Sequence, residues 1–176
     1  MSKLINLEGI DGSGKTSTAK KIVEKLRQEN ISCKFIDKKF SDYSNRDVRM
    51  YAESIKKMIW YDDDDPHRFV TNQGWLYLHG LWYSLLYENY IKNCTEDILI
   101  VDGWFYKIYT RFLLKEKFDM ELLDKVLKSV DVCDEVYFLD IEPEECFNRR
   151  TKYSFKEIGG YDFAVSDYKA RETLIN

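Results

Sequence analysis

Several features are missing from this sequence, and the absences exclude classes of function. There is no cysteine pair: Cys33, Cys94, Cys133 and Cys146 are widely spaced, with no C-x-x-C motif among them. A zinc site or a redox dithiol therefore has no support, and free thiols in a reducing cytosol are expected. No apolar run approaches the roughly 18 residues a membrane-spanning helix needs, and no basic N-terminus leads into an apolar stretch as in a secretory leader. Positive charge is not in excess either. The 27 Lys and Arg stand against 31 Asp and Glu, a net charge of −4, so general attraction to nucleic acid is not expected. Internal repeats and low-complexity linkers are also lacking, and 176 residues suffice for one domain around one core.

Flat rings are abundant instead: 13 Tyr, 10 Phe and 4 Trp predict a core or groove rich in aromatics. Apolar periodicity then lays out alternating elements. Lys3 to Leu7 reads as a strand, and a helix from Thr16, carrying Ala19, Ile22, Val23 and Leu26 on one side, fades near Asn30. Cys33 to Ile36 reads as a second strand, and Arg46 to Trp60 has helical spacing. Ile98 to Val101 is a continuous apolar run, as in a central parallel strand. Helices follow from about Trp104 to Lys115 and from about Met120 to Ser129. Glu135 to Leu139 is a further strand, Pro143 opens a helix through Arg150, and a last helical piece begins near Phe163. This alternation predicts an α/β fold, one parallel sheet with helices on both faces and right-handed crossovers.

A helix expected over about Pro66 to Lys92 is apolar on most sides, with Trp75, Leu76, Tyr77, Leu78, Leu81, Trp82, Tyr83, Leu85, Leu86 and Tyr87. Such a helix passes through a core, and a homodimer face on it is also expected. Gly80 would let a backbone or ligand approach closely. The preceding acidic run, Asp62 to Asp65, reads as a metal site, as a solvated loop, or as a helix start with Asp65 as cap and Pro66 in the first turn.

The stretch Gly9-Ile10-Asp11-Gly12-Ser13-Gly14-Lys15-Thr16 satisfies G-x-x-x-x-G-K-[ST] between a strand and a helix. Glycines let backbone N–H groups turn inward around phosphate oxygens, and the helix adds its positive end. Gly9, Asp11, Gly12, Ser13, Gly14, Lys15, Thr16 and Ser17 are the expected ATP-phosphate residues, with Lys15 as the mobile charge. Thr16 offers a hydroxyl to Mg²⁺. Asp102 ends a strand at the same side of the sheet; it reads as a second Mg²⁺ ligand or as the cap of the helix after it.

Leu7-Glu8-Gly9-Ile10-Asp11-Gly12-Ser13-Gly14-Lys15-Thr16 closely resembles the opening of the thymidylate kinase family, [IL]-E-G-x-D-G-[AS]-G-K-[ST]. Ile98 to Trp104 and Val136 to Pro143 resemble two further strand-and-turn segments of that family, and Arg149 and Arg150 lie where its lid begins. The resemblance implies a single P-loop NTPase-fold kinase domain over residues 1–176 with a lid around 149–161. It implies transfer of the γ-phosphoryl of ATP to a deoxynucleoside monophosphate. Lys15, Asp11, Arg149 and Arg150 would then be catalytic, with Asp11 facing the acceptor. The family's final strand, after the lid helix, has no clear counterpart before Asn176.

The acceptor side departs from the family pattern. Gly103 stands where the family has an arginine after the aspartate, and Leu78 to Tyr83 lacks the arginine of the family's long middle helix. Lys38 and Lys39 stand where the second strand of the family ends in arginine. A monophosphate dianion still needs compensation, for which Lys38, Lys39, Arg46, Arg49, Arg68, Lys107 and Arg111 are the candidates. Lys107 and Arg111, one helical turn apart, are the best placed. Trp82, Tyr83 and Trp104 read either as base-stacking rings or as core. His79 reads as a hydrogen-bonded helix residue. Two other functions stay open: a P-loop kinase of a nucleoside, modified nucleotide or other small molecule, and a nucleotide-binding regulatory module without phosphotransfer.

Overall fold

A computed structural model of the protein describes residues 2–61, 70–114, 118–130 and 132–149. The acidic run, Pro66, Arg68, Arg150, the lid from Thr151 to Tyr161 and the helix expected from Phe163 all lie outside those residues. Four strands, β1 (Lys3–Glu8), β2 (Cys33–Ile36), β3 (Ile98–Val101) and β4 (Glu135–Phe138), form one parallel sheet in the order β2-β3-β1-β4. Residues at successive positions face opposite sides, as the pleat requires. On one side Leu7 and Ile100 join Ala19 and Val23 of helix α1 (Lys15–Gln28) and Cys33 in a small cluster. On the other, Leu4, Ile36, Leu99 and Val101 join the large core.

That larger layer contains α2 (Arg46–Lys56), continued by a π-helical turn over Lys57–Tyr61, and α3 (Asn72–Asn89). It also holds residues of α4 (Tyr106–Leu113) and α5 (Met120–Leu127). A short helix, α6 (Pro143–Asn148), follows β4. The helices begin and end for local reasons. Asn45 caps α2 by accepting from the Asp47 and Val48 amides at 2.9 and 3.1 Å, and Asp119 caps α5 at Leu122.

α3 differs from its sequence reading at both ends. It starts at Asn72 because the Thr71 hydroxyl accepts from the Gly74 amide at 3.1 Å, a capping signal downstream of the Asp65–Pro66 start expected from the sequence. It stops at Asn89, and Ile91–Asn93 form a separate 3-10 turn. Its burial is one-sided. Leu76, His79, Gly80, Trp82, Tyr83 and Leu86 are buried, while Tyr77 and Leu81 are 52% and 50% exposed.

Gly80 is where α3 meets α5. A Cβ there would lie 2.6 Å from Val126 Cγ1, a contact real side chains do not make. Gly80→Ala gains about 1 kcal/mol of helix propensity but overpacks a filled interface at about 1–3 kcal/mol. The expected net is a loss of about 1 kcal/mol, seen as a lowered thermal midpoint. In a double-mutant cycle, Val126→Ala should lessen the cost of Gly80→Ala, since it removes the atom in the way.

Candidate active site

The sheet is parallel, so β1, β2 and β3 all deliver their C-terminal ends to one edge, where ligands of such sheets bind. The loop from Gly9 to Gly14 leaves β1 there and turns into α1 with Gly14 as its cap residue at φ 90°. Gly12 is required twice over. Its φ is +91°, and a Cβ would sit 2.5 Å from the Cys146 carbonyl oxygen of α6, so only glycine lets that helix close on the loop. Ser13 is buried, while Thr16 and Ser17 stand exposed on the first turn of α1.

Lys15 is folded back into the loop. Its Nζ donates to the Gly9 and Ile10 carbonyls, both at 2.7 Å, and lies 3.5 Å from Ser13 Oγ. Burial lowers its pKa below the usual lysine value, against the nearby carboxylates of Asp11, Glu8 and Asp102. An ammonium this poorly solvated, held by neutral carbonyls, gains from any phosphate that enters the loop.

The end of β3 is fixed by two buried polar residues of β1. Asn6 Oδ1 accepts from the Gly103 amide and Glu8 Oε1 from the Trp104 amide, both at 3.0 Å, and Asn6 Nδ2 donates to the same Glu8 oxygen at 2.8 Å. Asp102 is thereby set over the first turn of α1, where its Oδ2 accepts from the Thr16 hydroxyl. Its other oxygen, Oδ1, is buried without a hydrogen-bond partner. Asp102 does not cap α4, which starts at Tyr106 without a side-chain cap. A carboxylate with a spare buried oxygen beside a hydroxyl fits a Mg²⁺ that takes most of its shell from water and phosphates. Among the described residues no group of three or more His, Cys, Asp or Glu could hold a metal alone.

Across from the loop stand the cations. Lys107 of α4 donates from Nζ to Asp11 Oδ2, joining helix to loop. Lys38, just past β2, lies against the turn after Asp102. Its Nζ is 2.7 Å from where a Gly103 Cβ would be, and Gly103 has φ +104°. Arg111 is near enough to act on both Asp11 and Lys107. Burial alone would push the Asp11 carboxyl up, but Lys107, Lys15 and Arg111 outweigh it and hold it down to about 2. Lys107 is brought down to about 8 by burial first, with Arg111 and Lys38 adding to the effect against Asp11.

Not every candidate reaches this crevice. Lys39 reaches over the Trp60 ring at 5.6 Å. Arg49 is turned to the Tyr43 carbonyl and Asp42, and Arg46 is exposed at the start of α2. Trp82 and Trp104 are 0% and 1% exposed. Trp82 donates to the Lys38 carbonyl at 2.9 Å, and Trp104 lies edge-on to Tyr83. These rings are core here and offer no open face to a base. His79 is buried, edge-on to Trp75. Arg149, at the end of α6, pairs with Glu145 and places Nη1 3.5 Å from the Gly12 carbonyl. Asn6 was not among the candidates; an Asn two places before the motif glutamate, on the same strand face, is the signal that marks it.

The Asp11–Lys107 pair gives a direct test. A carboxyl held below its free value stabilises the fold fully above about pH 4, and that stabilisation is lost as pH falls toward 2. NMR titration of the Asp11 carboxyl should give a midpoint near 2. In Lys107→Met, with burial no longer opposed by its nearest cation, the midpoint should climb to at least the ordinary 3.8.

Comparison with known proteins places this geometry. The thymidylate kinase family profile matches residues 7–158. A probable thymidylate kinase of Sulfurisphaera tokodaii is 31% identical, over 89% of this chain and 75% of its own length. The thymidylate kinase of Pelodictyon phaeoclathratiforme is 28% identical, over 86% and 66%, so the match leaves part of each relative's length uncovered. Among solved structures, the Candida albicans thymidylate kinase superposes with a TM-score of 0.58 at 20% identity, over 98% of this chain and 76% of that one. The Ehrlichia chaffeensis thymidylate kinase gives 0.55 at 21%, over 84% and 79%. At those identities the two structures establish the fold, a P-loop α/β architecture. With a match spanning most of its length and the motif residues gathered at one edge of its sheet, the chain belongs to the thymidylate kinase family.

Proposed function

We propose that this nucleoside monophosphate kinase takes thymidylate, or a deoxynucleoside monophosphate of that class, as acceptor, and works with Mg²⁺. The observation that carries the reading is the gathering of Lys15, Thr16 and Asp102 around the loop, with Asp102 Oδ1 buried and unpartnered. ATP is the donor. Its phosphates lie against the loop amides and Lys15, and Mg²⁺ on Thr16 and Asp102 supplies charge neutralisation when bound. A phosphate oxygen of the acceptor attacks the γ-phosphorus, the bond to the β-phosphate oxygen breaks, and ADP leaves. Lys15 follows the charge on the transferring group. Arg149, beside Gly12, meets the same oxygens. A carboxyl with its pKa near 2 is a poor base, so Asp11 acts as a fixed hydrogen-bond acceptor and charge, suited to a sugar hydroxyl.

The exposed Tyr77 and Leu81, one turn apart on α3, support a homodimer through that helix. All four cysteines are free, and no described helix is long and apolar enough to cross a membrane. The free thiols support work in a reducing cytosol.

Protein with ATP and Mg²⁺, screened against nucleoside monophosphates and nucleosides for ADP formation, should turn over thymidylate best. Turnover with unphosphorylated acceptors alone overturns the reading, and tight ATP binding without turnover makes the protein a nucleotide-binding module. Lys15→Met should lower kcat by at least about 100-fold, as loss of one preorganised charge in the transition state does, while the thermal midpoint stays near wild type. Light scattering at micromolar protein should return twice the monomer mass.

A further inference from the structure

Four cations, Lys15, Lys38, Lys107 and Arg111, act on one another across this crevice. Among the described residues, Asp11 is the single carboxylate that hydrogen-bonds any of them. Lys38 Nζ and Arg111 have no hydrogen-bond partner there. Lysine offers three N–H donors, and the Lys107 ammonium gives one to Asp11, with no other acceptor among the described residues. It is half-buried on a helix rather than a loop, so its position is set before any ligand arrives. Like charges gathered where Lys15 is buried and Lys38 and Lys107 are half-buried raise the free energy of the empty site, and an anion relieves this.

We infer that Lys107 is the specificity-determining contact for the acceptor's phosphate. One N–H stays on Asp11, which positions the ammonium. The other two reach the phosphate, flanked by Lys38 against Gly103 and by Arg111 one turn along α4. Position 103 cannot serve, since its backbone is left-handed and its side-chain space is filled by Lys38. Lys107 thus discriminates a nucleoside monophosphate from the nucleoside that lacks the dianion. The inference rests on the kinase reading but is tested separately from it.

The test compares wild type, Lys107→Met and Lys107→Arg, each checked by thermal melt. In turnover, Lys107→Met should raise KM for thymidylate roughly ten- to a hundredfold, the range of a charge-assisted hydrogen bond. KM for ATP should stay within about twofold, and Lys107→Arg should recover most of the loss. Calorimetric binding of thymidylate and thymidine provides an arm that needs no turnover. Wild type should prefer the monophosphate, and in Lys107→Met the two affinities should converge. Wild type that binds the monophosphate without phosphorylating it sinks the kinase reading, while convergence still upholds Lys107. An unchanged preference in Lys107→Met, or equal rises in both KM values tracking a lowered melting point, makes Lys107 a structural brace and overturns the inference.

Discussion

Glu8 is a buried carboxylate, and the active edge of the molecule depends on how it is satisfied. It lies on the helix-rich face of β1, where an unpaired charge would cost several kcal/mol. One oxygen takes the Trp104 amide and the Asn6 side chain, and Asn6 in turn takes the Gly103 amide. The chain leaving β3 therefore cannot drift from the chain leaving β1. That clasp puts Asp102 against Thr16 and brings α4 round so that Lys107 reaches Asp11. Trp104, anchored by its amide, turns its ring into the core, where its carbonyl accepts from Tyr83. One buried pair of side chains thus couples the donor half of the site, the acceptor half and the core beneath both.

The electrostatics follow from the same placement. Asp11 and Lys107 are both partly withdrawn from water, and each is kept charged chiefly by the other. Burial opposes the charged form of both, so a lone lysine or lone aspartate at either position would move toward neutrality. Paired, they hold a fixed dipole between loop and helix, and the positive surplus around them marks the side from which an anion enters. Lys15 differs. Neutral carbonyls hold it, so it can leave them for a phosphate without breaking an ion pair.

Local patterns carried far in this chain. The four residues of Cys33 to Ile36 were legible as a strand because they form a short, largely apolar run just after a helical pattern fades, and the phosphate loop was legible because its spacing is the geometry itself. Trp82 and Trp104 were not, since a buried ring and a stacking ring look alike until neighbours are known. The start of α3 was missed because Asp65 and Pro66 offer a helix-start signal of the same kind as Thr71 a few residues upstream. Arg49 looked like a phosphate ligand by charge alone, and only the fold shows it turned to Asp42. Lys107 was legible as a candidate from helical spacing, but not its partner, which lies 96 positions away in sequence.

Gly103 leaves no room for a side-chain charge at the end of β3, and the cations near this turn come from other elements. A left-handed backbone at this position disfavours any side chain, and the turn is locked by the Asn6 acceptor on its amide. An arginine here would need both the strained backbone and the space that the Lys38 ammonium occupies. Lysines delivered from the end of β2 and from α4 reach the same region without straining the turn. The kind of cation has a chemical consequence. A guanidinium stays charged at any physiological pH and grips two oxygens in a fixed plane, whereas ammonium groups are point charges with rotatable donors. If Lys107 and Lys38 meet the acceptor as inferred, with Arg111 beside them, the phosphate would be held by charge more than by shape, which would loosen the demand on acceptor geometry while keeping the demand for a dianion.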